Sequence, residues 1–179
     1  MKAITIVYKR FEMFISETKI QVTVQRLATE LNRDFYNKEV ILLAILNGTF
    51  MFAADLLRRI NLDCSISFVK LSSYTGTGSN GRVSELIGIN EVLDGKNIIV
   101  LEDIIDTGTT ITEFLKLLEA YSPASVSVVT FLLKPGTCSK NVKPDYVGLE
   151  VPDKFVIGYG LDYMGKGRHF PFICSLADT

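Results

Sequence analysis

Residues 102–110, EDIIDTGTT, hold three carboxylates and three hydroxyls around one glycine. They follow the apolar run Ile98–Leu101 directly, and the hydroxyl-rich end leads into a helix predicted from about Thr109 to Tyr121. A helix N-terminus presents free backbone N–H groups and the positive end of its dipole, so it favours an anion. Gly108 lets the backbone approach a ligand, and Thr107, Thr109 and Thr110 add hydroxyl donors. A phosphate monoester suits such a cradle. A helix cap at Asp106 or Thr107 would account for one residue of the set. It would leave Glu102 and Asp103 unexplained, because carboxylates near a buried sheet end are costly without a cationic partner. Two adjacent carboxylates suit a polyol or polyphosphate carrying Mg²⁺. The loop lacks the GxxxxGK[ST] pattern, so it is no Walker A loop.

The elements that must position these residues alternate in type. Ile20, Val24, Leu27 and Leu31 recur at helical spacing, with Ser16 and Thr18 as candidate caps. EVILLAIL (39–46) reads as a buried strand and GTFMFAADLLRRIN as a helix stopping near Asn61. CSISFVKLSS (64–73), VSELIG, NIIVLE (97–102), ASVSVVTFLL (124–133), DYVGLEV and KFVIGYGLD read as further strands. YTGTGSNGR (74–82) is polar and glycine-rich. Strands alternating with helices predict βαβ units and a mostly parallel sheet, and all-apolar strands predict cover on both faces. Ligands of such folds sit at the carboxyl ends of strands. That rim would carry Leu46–Thr49, Glu102–Thr110 and Lys134, with Asp162 a further candidate.

The totals restrict the class. One domain spanning 1–179 is expected from 179 residues, and a net charge of −1 gives no global field for nucleic acid. Cys64, Cys138 and Cys174 are far apart, lack metal-like spacing and are odd in number, which favours reduced thiols. The start, MKAITIVYKRFEMF, has no leader-like apolar core, and VILLAIL is too short to span a bilayer. A cytoplasmic protein without a membrane partner is expected.

The string VLEDIIDTGTT resembles the phosphoribosyl pyrophosphate (PRPP) signature of type I phosphoribosyltransferases. The segments LNGTFMFAADLLR, SSYTGT, LLK and KPDYVGLEVPDKFVIGYGLDY extend the resemblance over nearly the whole chain, to the hypoxanthine-guanine phosphoribosyltransferases. The resemblance implies the type I fold: an α/β core with a mostly parallel twisted sheet flanked by helices, plus a small hood from the terminal segments. It implies transfer of phosphoribose from PRPP to N9 of hypoxanthine or guanine, giving IMP or GMP and pyrophosphate, with Mg²⁺ as cofactor. A homodimer or homotetramer is the family's expectation.

The resemblance also assigns roles. Glu102 and Asp103 correspond to the acids that hold the ribose hydroxyls, directly or through Mg²⁺, and Asp106 to the general base near purine N7. Thr107, Gly108, Thr109 and Thr110 correspond to the 5′-phosphate loop. Leu46–Thr49, otherwise an ordinary turn between strand and helix, corresponds to the pyrophosphate loop, which often contains a non-proline cis peptide. Asn47 replaces the usual basic residue there, which leaves binding to backbone groups, Gly48 included. Ser73 and Tyr74 belong to the lid. Lys134, otherwise a solvated strand-end lysine, donates to purine O6; Phe155 stacks on the base and Val156 contacts it through its backbone. Asp162 matches a second metal-site acid and purine-side residue, and Arg168 a pyrophosphate ligand. His169 receives no role.

Three other functions compete. A regulator could keep the PRPP site and bind nucleotides without turnover; the chain shows no basic face or added DNA-binding segment. Orotate and adenine transferases share the signature but are not expected to carry KPDYVGLEVPDKFVIGYGLDY. Xanthine preference turns on contacts around purine C2 and stays open.

Overall fold

The computed structural model describes residues 3–73 and 83–177, and for residues 72, 73 and 83–87 it describes the backbone. Tyr74 and the rest of segment 74–82, expected to form the lid, lie outside the described residues, as does the side chain of Ser73.

The N-terminal segment forms a hairpin, β1 (Ala3–Ile6) and β2 (Lys9–Ile15). Helix α1 (Glu17–Asp34) follows, capped by the Ser16 hydroxyl, which accepts from the Lys19 N–H at 3.3 Å. Its buried stripe contains Ile20, Val24, Leu27 and Leu31, as the spacing predicts. Strand β3 (Glu39–Leu46), helix α2 (Phe50–Leu57), β4 (Asp63–Ser73) and β5 (Val83–Ile87) come next. Then follow β6 (Asn97–Ile105), α3 (Thr109–Glu119), β7 (Ser125–Leu133), β8 (Tyr146–Glu150), the two-residue β9 (Val156–Ile157) and β10 (Ile173–Leu176).

The main sheet has the order β5-β4-β3-β6-β7-β8. The strands from β4 to β8 run parallel, and β5 pairs antiparallel at one edge. Alternate residues of the central strands enter two cores. Val40, Leu42, Ala44, Ile99 and Leu101 pack with α1 and α2. Ile41, Leu43, Ile45, Ile98 and Val100 pack with α3. Cover on both faces is why these strands carry almost no polar residue. A second, antiparallel sheet, β1-β2-β10-β9, joins the two ends of the chain and forms the hood around Ile6, Phe11, Ile157 and Cys174. This is the type I fold expected from the sequence.

Several elements differ from expectation: α3 ends at Glu119 rather than Tyr121, and of the strand expected in KFVIGYGLD only Val156–Ile157 forms, because the glycines after it turn the chain. α2 closes at Leu57, short of Asn61. Strand β6 continues past Glu102, where it was expected to end, to Ile105, so Asp103 lies within it rather than after it. The hood strands β1, β2 and β10 were not legible as strands. β2 has the mixed burial of a half-covered hairpin, and β10 is only four residues long.

Candidate active site

β3, β6 and β7 are neighbours with parallel registers, so their carboxyl ends open onto one rim. Each end supplies one part of the site: residues 46–49 after β3, 106–110 after β6, and Lys134 after β7.

The loop after β6 fits an anion. Gly108, with φ of 83°, precedes α3, and no side chain caps that helix. A Cβ at this left-handed position would also crowd the Val142 side chain. The Thr107 and Thr109 hydroxyls lie 3.1 Å apart. Glu102 and residues 104–111 line an open cleft of about 90 Å³ here.

The two strand acids face opposite sides of β6. Glu102 turns toward the cleft and is only 8% exposed, and its Oε2 has no hydrogen-bond partner among the described residues. Burial, reinforced by the neighbouring Asp103 charge, pushes its carboxyl well above the ordinary range. Asp103 turns toward the loop after β3, where its carboxylate fills the space that a Cβ on Gly48 would need. It accepts from the Ile104 N–H at 3.0 Å. Burial raises the Asp103 carboxyl to about 6; backbone N–H donors and the Arg168 charge act against that rise, and Asp162 adds to it. A ligand at the end of β6 would therefore meet carboxylates from two sides.

The peptide between Leu46 and Asn47 is cis, as the resemblance implies for this loop. Asn47 is exposed and Gly48 buried. Gly160, with φ of 99°, packs against the Gly48 carbonyl so closely that a side chain would not fit. Arg168 donates to the Gly160 carbonyl at 2.7 Å and pairs with Asp162 at 2.6 Å, and Asp162 also accepts from the Gly165 N–H at 2.6 Å. The hood turn that carries Asp162 and Arg168 thus sits directly on the loop after β3. Tyr159 fastens the same turn from below: its hydroxyl donates to Asp55 of α2 at 2.8 Å. Asp55 also accepts from Gln21 and Arg58.

Lys134 is 6% exposed, so the solvated strand-end explanation fails. Its ammonium bridges Asp106 Oδ2 at 2.7 Å and Asp153 Oδ1 at 3.2 Å. Burial acts to lower the lysine, but the two carboxylates outweigh it and the net direction is upward. For Asp106 burial acts upward, and hydrogen bonds from Lys134 and Thr137 outweigh it, holding the carboxyl below its ordinary value. Asp106 is therefore ionised near neutral pH. Phe155 stands on the hood at 47% exposure, edge-on to Tyr163 with centroids 5.7 Å apart, while Val156 is buried. His169 is exposed and leans on Phe170.

The chain that builds this rim has known relatives. Residues 16–164 match the family model of the phosphoribosyl transferase domain. The chain belongs to the phosphoribosyltransferase family. It is 38% identical to a hypoxanthine phosphoribosyltransferase of Buchnera aphidicola, over 90% of this chain and 93% of that one. It is 37% identical to a hypoxanthine-guanine phosphoribosyltransferase of Staphylococcus aureus, over 92% and 93%. A crystal structure of a Bacillus anthracis hypoxanthine-guanine phosphoribosyltransferase, with a HEPES molecule in its active site, superposes with a TM-score of 0.88 at 40% identity. That match covers 93% of this chain and 98% of the other.

In this phosphoribosyltransferase the expected residues gather as two groups. Glu102, Asp106 and Thr107–Thr110 share the cleft; Gly48, Asp103, Asp162 and Arg168 meet where the hood turn touches the loop after β3. Sequence reasoning passed over Thr137, Asp153, Asp55 and Tyr159. Asp153 lay in plain view inside PDKFV. Asp55 and Tyr159 carry no local signal, because their contact joins residues 104 positions apart.

Proposed function

We propose that this phosphoribosyltransferase is a hypoxanthine-guanine phosphoribosyltransferase of purine salvage. It would transfer the 5-phosphoribosyl group of PRPP to N9 of hypoxanthine or guanine, forming IMP or GMP and releasing pyrophosphate. The observation that carries the base class is the contact between Lys134 Nζ and Asp106 Oδ2. A 6-oxopurine presents an acceptor at O6 beside a proton on N7. An ammonium and a carboxylate held side by side complement that edge, whereas the amino group of adenine would oppose a donor with a donor. The names of the relatives support the same substrates.

The reaction breaks the bond from ribose C1′ to pyrophosphate and forms one to purine N9. Positive charge develops on the ribose, where Glu102 and Asp103 would stabilise it in a site closed to water. The ribose hydroxyls would give Glu102 Oε2 the donors it lacks in the protein. Residues 107–110 would hold the 5′-phosphate on the free N-terminus of α3. Asn47 and Gly48, through their backbone, and Arg168 would hold pyrophosphate. Phe155 would stack on the purine, with Val156 and Asp162 at its edge and Ser73 and Tyr74 in the lid. As N9 attacks, Asp106 would accept the N7 proton. It starts as a weak base because Lys134 neutralises it; movement of Lys134 to O6 would make it stronger.

The acids fit a substrate-borne Mg²⁺. No group of three or more potential ligands converges among the described residues, and Mg²⁺ usually takes one or two carboxylates with waters and substrate phosphates. Glu102 on the cleft side, and Asp103 with Asp162 on the side of the loop after β3, would each supply one or two carboxylates to such an ion, which would neutralise the departing pyrophosphate. We place the enzyme in the cytoplasm as a homodimer or homotetramer; no described helix is long and apolar enough to cross a membrane.

Incubation with PRPP, Mg²⁺ and hypoxanthine tests the reading. IMP and pyrophosphate should appear together, and EDTA should stop both. Binding of PRPP without turnover of any base would instead indicate a regulator.

A further inference from the structure

A carboxylate acting as base needs one oxygen held and the other offered. Asp106 meets two donors on different oxygens. Lys134 takes Oδ2, while the Thr137 hydroxyl donates to Oδ1 at 2.5 Å. Thr137 belongs to the turn after β7, and that turn is tied on both sides. The Thr137 and Cys138 N–H groups donate to the Lys134 carbonyl at 3.3 and 3.0 Å, and the Ser139 N–H donates to the Thr107 carbonyl at 3.1 Å. The turn thus links the strand end that bears the lysine to the loop that bears the base. Its hydroxyl also lies 3.3 Å from the Asp106 carbonyl, so it sits over the residue's backbone as well as its side chain. A lone threonine in LLKPGTCSK would ordinarily be a solvated turn residue; here it is half-buried against one carboxylate oxygen.

We propose that Thr137 is a positioning residue for the general base: it fixes Asp106 through Oδ1, so that Oδ2 receives the purine proton when Lys134 turns to the base. The proposal rests on the reading of Asp106 as that base. Thr137 need not touch substrate. Its hydroxyl stabilises the ionised carboxylate in one rotamer, and loss of the donor would both loosen the side chain and raise its proton affinity. Among the described residues, the other charged or titratable groups around Asp106 are Lys134, Asp153 behind that lysine, Glu102 across the same cleft, and the Cys138 thiol, which burial and the Asp106 charge push upward.

Thr137→Val keeps the shape and removes the donor; Thr137→Ser keeps the donor. The measurement is the single-turnover rate of IMP formation from hypoxanthine and saturating PRPP across pH, with the KM for PRPP alongside. T137V should lower the rate about tenfold, the loss of one hydrogen bond to a charged group. Its acid limb should move to higher pH, and the KM for PRPP should stay within about twofold. T137S should restore the rate and the limb. Wild-type rate in T137V, a slow T137V with an unmoved acid limb, or a T137S as slow as T137V would each overturn the proposal. Asp106→Asn separates the two levels. If D106N is crippled while T137V is normal, only the role of Thr137 falls; if D106N is as fast as wild type, the base assignment falls and takes Thr137 with it.

Discussion

Asp106 and Lys134 neutralise each other in the free protein, and each has a second partner, Thr137 for the acid and Asp153 for the lysine. This pairing sets the expected behaviour of single variants. Asp106→Asn preserves shape and removes proton uptake, so kcat should fall by about 10²–10⁴-fold while PRPP binding changes little; titration calorimetry and steady-state kinetics give the two numbers. Lys134→Met keeps the buried stem and removes the ammonium. The kcat/KM for hypoxanthine should drop by at least about tenfold, and the ratio of hypoxanthine to adenine should fall with it. Selectivity that survives in K134M would remove the O6 assignment. Both residues were singled out in the sequence, each with the role that the resemblance implies; the loop alone offered Asp106 only as a helix cap. Their mutual contact was not, because residue types and spacing along two strands do not say which side chains meet across the rim.

At the level of elements, glycines decide how closely the site closes. Gly48 leaves room for the Asp103 carboxylate, and Gly160 leaves room for the Gly48 carbonyl. Gly48→Ala would force either the Asp103 carboxylate or the loop after β3 to move. The KM for PRPP should rise by about tenfold or more, with the melting temperature little changed, because the strain falls on a loop end rather than in either core. An unchanged KM in G48A would show that this close approach does not matter for PRPP. The strands that carry the site were easy to read. VILLAIL and IIVL are continuous apolar runs because both faces of β3 and β6 are covered. The hood was harder. β9 is two residues long and β10 four, and the path from Gly158 to Arg168 is set by glycines and backbone hydrogen bonds rather than by any apolar period. Such a segment gives periodicity little to detect.

Across the whole molecule, stability and chemistry pull against each other. Glu102 and Asp103 sit in a site that raises their carboxyls, Asp103 to about 6. The usual carboxylate value in an unfolded chain is about 4. Between those limits the folded form binds the Asp103 proton more tightly than the unfolded form. The contribution favouring the fold is complete below about pH 4 and is lost as pH rises through about 6. Ionised acids therefore cost stability at neutral pH. Asp103→Asn and Glu102→Gln should each raise the ligand-free melting temperature at pH 8 by about 2–4 °C, equivalent to about 1 kcal/mol for a chain of this size. For D103N the gain should shrink by pH 5, and both variants should lose transfer activity. Thermal scans at the two pH values check the sign; a lower melting temperature at pH 8 would contradict it. The cost is confined to the rim where the strands end, above two cores built almost wholly from apolar side chains.

The rim as a whole is read as a site for phosphoribosyl transfer to a 6-oxopurine. A panel of hypoxanthine, guanine, xanthine, adenine and orotate, each supplied with PRPP and Mg²⁺, tests it most directly through the nucleotide formed. Hypoxanthine should give IMP and guanine GMP, with little or no product from adenine and orotate; the xanthine rate sets the remaining preference. Turnover only with adenine or orotate would contradict the pairing of Lys134 and Asp106 with a purine O6 and N7 edge, while leaving the PRPP site standing.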